Sequence, residues 1–178
     1  MQQVNIQYYS SPCGEIILAS VGDELCLCDW NEMPCAERNK LRLSRYMKAV
    51  WFKIETSTIL EQTKKQLDEY FTGNRKTFDI PLHPVGTDLQ KKVWHALLNI
   101  PYGETRSYKE IAQSIGSPNS VRAVAGAIGA NGICIFIPCH RVIGSNHSLT
   151  GFAGGLAAKR RLLELEAEHK QHKMVIFK

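Results

Sequence analysis

TDLQKKVWHALLNIPYGETRSYKEIAQSIGSPNSVRAVAGAIGA, residues 87–130, decides how the second half of the chain is built. Thr87-x-x-Gln90 is a capping box, and Leu89, Val93, Ala96 and Leu97 behind it recur at helical spacing. The turn IPYGET at 100–105 ends that helix. Ser107-x-x-Glu110 is a second capping box, opening a helix that carries Ile111, Ala112 and Ile115 inward and stops at Gly116. Ser117 and Pro118 then stand where an N-cap and a first helical residue belong. The helix they open runs through Val121, Val124 and Ile128 to Ala130.

Two short helices joined by Gly116 and Ser117 form a helix-turn-helix candidate. The second is rich in small residues, Ser120, Ala123, Ala125, Gly126, Ala127, Gly129 and Ala130, and Arg122 is its long cation. Small side chains allow close approach to another surface, as in a DNA reader, and close helix–helix packing explains them equally well.

Upstream, TFDIPLHPVG (77–86) carries two prolines and no helical period, and reads as a linker. It divides the chain into domains at 1–84 and 85–178. The first domain reads as strands followed by helix. IILAS (16–20) and LCLCDW (25–30) flank the turn residues Gly22 and Asp23, a hairpin signal, and Val50–Glu55 is a further extended stretch. From Thr58, residues Ile59, Leu60, Leu67, Tyr70 and Phe71 fall at helical spacing, with Gly73 as the stop.

Downstream, ICIFIPCHRVIG (133–144) carries the chemistry. Ile133–Ile137 is a short apolar, β-branched run and reads as a buried extended segment; Pro138 breaks it and sets Cys139, His140 and Arg141 at its mouth. A thiol with a free pKa of about 8.5 becomes a nucleophile when a base or cation raises its thiolate fraction. Neighbours on an extended chain point to opposite sides, so a bridging water is the natural relay from Cys139 to His140. On the last helix, Ala158, Leu162 and Glu166 form one i, i+4 stripe that places Glu166 on the inward face, whereas Arg160, Glu164 and Glu168 fall on the outer one. A carboxylate facing inward needs a partner.

Composition narrows the function classes. Hydrophobic residues at 44% and charged residues at 22% are those of a soluble globular chain. The longest apolar run, Ile133–Ile137, is far short of the ~20 residues of a membrane helix. MQQVNIQYYS has no secretory pattern, so the expectation is a cytoplasmic protein. Residues 1–85 carry net −1 and residues 86–178 net +6, which suits a polyanionic partner on the second half. Cysteines at 13, 26, 28 and 35 match no zinc knuckle, and in an intracellular chain a disulfide framework is not expected. They read as small buried hydrophobes; no metal and no cofactor are expected.

Five blocks in order, IPYGETRSYKEIA (100–112), VRAVAGAIGAN (121–131), IPCHRVIG (137–144), TGFAGGL (150–156) and KRRLLELE (159–166), strongly resemble the O6-alkylguanine-DNA alkyltransferase family. SPCGEIIL (11–18) matches it loosely. The resemblance implies a small ribonuclease H-like α/β domain followed by a mainly helical winged-helix or helix-turn-helix domain. It also implies stoichiometric repair of O6-alkylguanine, and of O4-alkylthymine, in double-stranded DNA, the alkyl group passing to Cys139 after base flipping. By resemblance His140 deprotonates the thiol through water, Glu166 orients the histidine, Asn131 holds the network, and Tyr108 assists rotation of the base and donates to the leaving guanine. Arg122 fills the vacated stack; Tyr108, Lys109, Ser117, Ala123 and Arg141 contact DNA in the minor groove; Phe152, Ala153 and Gly154 wall the base pocket. A monomer associated with the nucleoid, binding with strong salt dependence, is expected.

Departures from the family pattern are Phe152 for Tyr, Ala153 for Ser, Ala125 for Gly, Leu89 for Phe, and Gly132 for Pro, the last expected to loosen the turn holding Asn131. A relative that binds the lesion without transfer is the competing reading, and Cys139 argues against it. A Cys-His hydrolase or a regulator finds no further support.

Overall fold

A computed structural model describes the backbone of residues 1–176 and the side chains as far as Lys170. The chain divides into two compact units. One comprises Met1–Thr87 with Gly132–Phe136, the other Asp88–Asn131 with the chain from Ile137 onward.

The first unit is a four-stranded sheet with two helices. Strands β1 (Gln2–Ser11), β2 (Gly14–Val21) and β3 (Glu24–Trp30) form an antiparallel meander. The two-residue turn at Gly22 and Asp23 matches the hairpin read from sequence, and Gly22 supplies its φ of 54°. Helix α1 (Pro34–Met47) carries the chain to β4 (Ala49–Lys53), which pairs parallel to β1, giving the order β3-β2-β1-β4. Helix α2 (Thr58–Phe71) is capped by Ser57, whose side chain accepts from the Leu60 amide. β1 and α1 were not anticipated: β1 buries Gln7 among its inward residues, and α1 buries Asn39, so neither shows a clean apolar period.

The supposed linker is tied down. Leu25 N donates to Pro81 O and His83 N to Leu25 O, both at 2.8 Å, which adds Leu82 to the edge of β3. Farther along the same edge, Cys28 N donates to Gly132 O and Cys134 N to Cys28 O, again at 2.8 Å. Residues 133–137 are buried as expected, but they are not one extended run. The chain turns at Ile135, which adopts φ 74°, an uncommon conformation for a β-branched residue. Gly132 is likewise not a loosened position: a Cβ there would lie 3.2 Å from Arg42 Nη2 and 3.3 Å from Asn39 Cγ. The hydrogen bond from Cys28 and these side chains hold it.

In the second unit α3 (Asp88–Leu97), α4 (Tyr108–Ser114) and α5 (Val121–Gly129) pack on one another, followed by α6 (Gly155–Ile176). α3 buries Val93, Trp94 and Leu97, and Leu89 is 39% exposed; the face is rotated from the expected stripe by Trp94, whose Nε1 donates to Ala127 O at 2.8 Å. α5 starts at Val121, not at Pro118. Ser117 N donates to Ala112 O and Ser120 N to Ser117 O, so 117–120 form a turn and Ser120 stands at the N-cap. Short parallel strands β5 (Arg106–Ser107) and β6 (Val142–Ile143) join the start of α4 to the segment after Cys139.

Among the described residues no helix is long and apolar enough to cross a membrane. Nor, among them, is any group of three or more His, Cys, Asp or Glu side chains placed to hold a metal ion.

Candidate active site

Cys139 is set by a chain of local turns. Pro138 has φ −80° and ψ 63°, the inverse γ-turn, and Cys139 N donates to Ile137 O at 2.8 Å. Ile137 O also accepts from Asn131 Nδ2 at 2.9 Å, so the buried amide of Asn131 fixes the turn from outside. Residues Cys139–Arg141 then form one 3₁₀ turn, with Arg141 N donating to Pro138 O at 3.0 Å. The extended geometry assumed for this stretch does not occur. Cys139 is 6% exposed, and His140 is fully buried.

Four groups converge on the Glu166 carboxylate. His140 Nε2 lies 2.7 Å from Oε1, Arg141 Nε 2.9 Å from Oε2, Arg141 Nη2 3.0 Å from Oε1, and Gly103 N 3.1 Å from Oε2. Burial alone pushes this carboxyl up, but the charge and hydrogen bonds of His140 and Arg141 outweigh it and hold it well below the usual carboxylate range. Burial lowers the pKa of His140, the Arg141 and Lys159 charges act the same way, and Glu166 only partly offsets them. The imidazole is therefore neutral at pH 7. An ionised carboxylate can only accept, so Nε2 carries the hydrogen and Nδ1 carries the lone pair. Nδ1 is buried and has no hydrogen-bond partner within the protein.

The other residues named from sequence lie on α4, α5 and the loops beside them. The Ser107 capping box is present, with Glu110 N to Ser107 Oγ at 3.1 Å and Ser107 N to Glu110 Oε2 at 2.6 Å. It launches α4 with Tyr108 as its first residue. The Tyr108 hydroxyl meets Thr150, donating to the carbonyl at 3.3 Å and accepting from Oγ1 at 3.1 Å. Arg122, Ala123 and Lys109 are exposed and Ser117 is half-buried. A Cβ on Gly126 or Gly129 would meet nothing within 4 Å, so packing among the described residues does not require either glycine. Phe152, Ala153 and Gly154 are half-buried on the loop before α6.

Arg141 is a correction: expected by resemblance to contact DNA, it is buried and both edges of its guanidinium are committed inside the protein. Lys159 was not singled out from sequence, where it only opens the block KRRLLELE. It is fully buried, and Nζ donates to Val142 O at 2.6 Å and Thr150 O at 2.8 Å. Burial lowers its pKa, and the nearby Cys139 sulfur works in the opposite direction.

Comparison with known proteins gives a consistent result. Residues 88–168 match the 6-O-methylguanine DNA methyltransferase DNA-binding domain, and residues 4–84 the ribonuclease-like domain of the same family. The chain is 49% identical over 156 residues to a methylated-DNA–protein-cysteine methyltransferase of Methanosarcina barkeri, covering 88% of this chain and 92% of the relative. It is 43% identical over 173 residues to the constitutive enzyme of that name from Bacillus subtilis, covering 90% and 96%. Among solved structures, the O6-methylguanine methyltransferase of Mycobacterium tuberculosis superposes with a TM-score of 0.82 at 40% identity, covering 98% of this chain and 99% of that one. The Mycobacterium tuberculosis OGT in complex with DNA gives 0.80 at 42% identity, covering 94% of each chain.

Proposed function

The chain belongs to the 6-O-methylguanine DNA methyltransferase family, and its activity is DNA repair by transfer of an alkyl group to one of its own cysteines; on that premise we propose that Cys139 is the acceptor. The observation that carries this reading is the buried His140–Glu166 pair directly after Cys139, with the lone pair of His140 Nδ1 left unused by the protein.

The step balances simply. The Cys139 proton passes through a water to His140 Nδ1, and the imidazolium is stabilised by Glu166. The thiolate attacks the alkyl carbon on guanine O6; the S–C bond forms, the C–O bond breaks, and its electron pair leaves on the guanine. The guanine anion takes a proton from water, with Tyr108 donating a hydrogen bond to the base, and the imidazolium returns its proton to water. The thioether is stable, so each molecule acts once. Asn131 acts by holding the Ile137 carbonyl that shapes the turn under Cys139.

The reactive atom lies inside a duplex, so the nucleotide must be flipped out, at a cost of a few kcal/mol. Arg122 fills the gap. Supporting its role, it projects from the first turn of α5, beside Ala123 and the open faces of Gly126 and Gly129, where a minor-groove backbone can approach closely. Lys109 and Ser117 contact the DNA backbone, and Phe152, Ala153 and Gly154 wall the base pocket. O4-alkylthymine is a second substrate. We further assign two domains bounded at 1–84 and 85–178, with residues 132–136 returning to the first, a ribonuclease H-like fold to the first and a winged-helix fold to the second, and a monomer working on nucleoid DNA in the cytoplasm.

The test is intact mass after incubation with a duplex containing O6-methylguanine. One methyl per chain, mapped to Cys139 and absent from Cys139→Ala, is the expected result. Binding with no gain in mass, or a methyl elsewhere, overturns it.

A further inference from the structure

We propose that Arg141 is a positioning residue for alkyl transfer: its guanidinium fork locks the Glu166 carboxylate in the one orientation that keeps His140 working as a base. This rests on the reading of Cys139 as acceptor.

The geometry is that of a bracket. Nε and Nη2 grip the two oxygens of Glu166 at 2.9 and 3.0 Å, and Nη1 donates to Ile100 O at 2.7 Å. The Tyr102 ring lies against the guanidinium, 5.6 Å from its carbon to the ring centroid. One side chain thus ties together the 3₁₀ turn that bears the nucleophile, the helix that bears the carboxylate, and the turn at 100–103. Oε1 serves both His140 Nε2 and Arg141 Nη2, so the plane of the carboxylate, and with it the direction of the His140 ring, follows the fork. Lysine would supply the charge but not the plane. A contact to DNA phosphate is closed to this residue, because it is only 6% exposed.

The fork also sets charge. The charged groups acting on His140 are Glu166 and Lys159 from α6 and Arg141 from its own turn, and Tyr102 covers the Arg141 guanidinium from the 100–103 turn. Glu166 favours the imidazolium; Arg141 and Lys159 oppose it. Removing the Arg141 charge tips this balance toward a protonated ring, which cannot accept the thiol proton.

The experiment is single-turnover transfer from an O6-methylguanine duplex, followed from about pH 5 to pH 9, with wild type, Arg141→Lys and Arg141→Met. Arg141→Lys is expected to slow transfer by about ten- to a hundredfold with the acid limb of the profile in place. Arg141→Met is expected to be slower still, with that limb moved up by about one pH unit. Wild-type rates in Arg141→Lys overturn the proposal, as does a slow Arg141→Met whose limb has not moved. Should Arg141→Met fail to fold, the rate of Arg141→Lys alone decides. Peptide mapping keeps the two readings apart. A methyl away from Cys139 overturns the acceptor assignment, whereas a methyl on Cys139 with unchanged rates in Arg141→Lys overturns only the role of Arg141.

Discussion

His140 and Glu166 are both held below their ordinary pKa values inside the second unit, and this makes stability depend on pH in a definite direction. A histidine whose folded pKa is lowered leaves the unfolded chain to bind the extra proton. Stability is then intact above the unfolded value of about 6.5 and falls as pH drops below it. For Glu166 the contribution is present above about pH 4.3 and is lost as pH falls toward the folded pKa. Acid therefore weakens the fold in two successive windows. Guanidinium unfolding at pH 7, 6 and 5 is expected to show wild type losing about 1 kcal/mol per pH unit in the upper window, and His140→Gln losing much less. Equal losses would contradict a neutral buried imidazole. At this scale the sequence singled out Cys139, His140, Glu166 and Asn131 as candidates, and the structure sets His140 against Glu166 and Asn131 on the turn that precedes Cys139. It gave Arg141 to DNA by resemblance and passed over Lys159. Burial that depends on residues 41 or 17 positions away leaves no local trace.

Elements deliver these side chains to one place, and the 100–104 turn does so most economically. Glu104 N donates to Pro101 O at 3.1 Å, and Gly103 adopts φ 75° at the position where a type II turn calls for glycine. A Cβ on Gly103 would also lie 3.3 Å from the Glu166 carbonyl. Gly103→Ala is accordingly expected to cost about 1–3 kcal/mol and to slow transfer, since the Gly103 amide is one of the four grips on Glu166. Gly116 offers the contrast: it adopts φ 74° with open space around it, so Gly116→Ala is expected to cost stability without slowing transfer. Chemical denaturation and single-turnover rates on both variants check this. Elements with strong punctuation were legible: the Gly22–Asp23 hairpin, α2 from Thr58, and α4 from its capping box. The start of α5 was misplaced by three residues because Ser117-Pro118 is equally good chemistry for a turn. β1 and α1 were invisible because tertiary hydrogen bonds, such as Asn39 Nδ2 to Asp29 Oδ2 at 2.7 Å, let polar residues occupy inward positions.

For the whole molecule the decisive feature is that the first unit is assembled from two separated pieces of chain. Residues 132–136 complete it, with Phe136 against Phe78 at 4.3 Å between ring centroids and Cys134 Sγ 3.9 Å from the buried Asp29 carboxylate. A fragment of residues 85–178 would carry Ile133, Cys134, Ile135 and Phe136 without these partners. It is expected to unfold at a lower temperature than the full chain, by scanning calorimetry, and an equal unfolding temperature would argue against this dependence. Reading a single cut near residue 84 could not reveal the return, because five apolar residues before Pro138 look the same whichever core they enter. The same layout bears on how the protein is made. As the nascent polypeptide leaves the ribosome, the outer margin of β3 near Cys28 stays bare until residues 132–136 have been made and have emerged. Throughout that interval an unpaired strand rim is open to other nascent chains, so slow elongation beyond codon 88 favours clumping of newborn molecules.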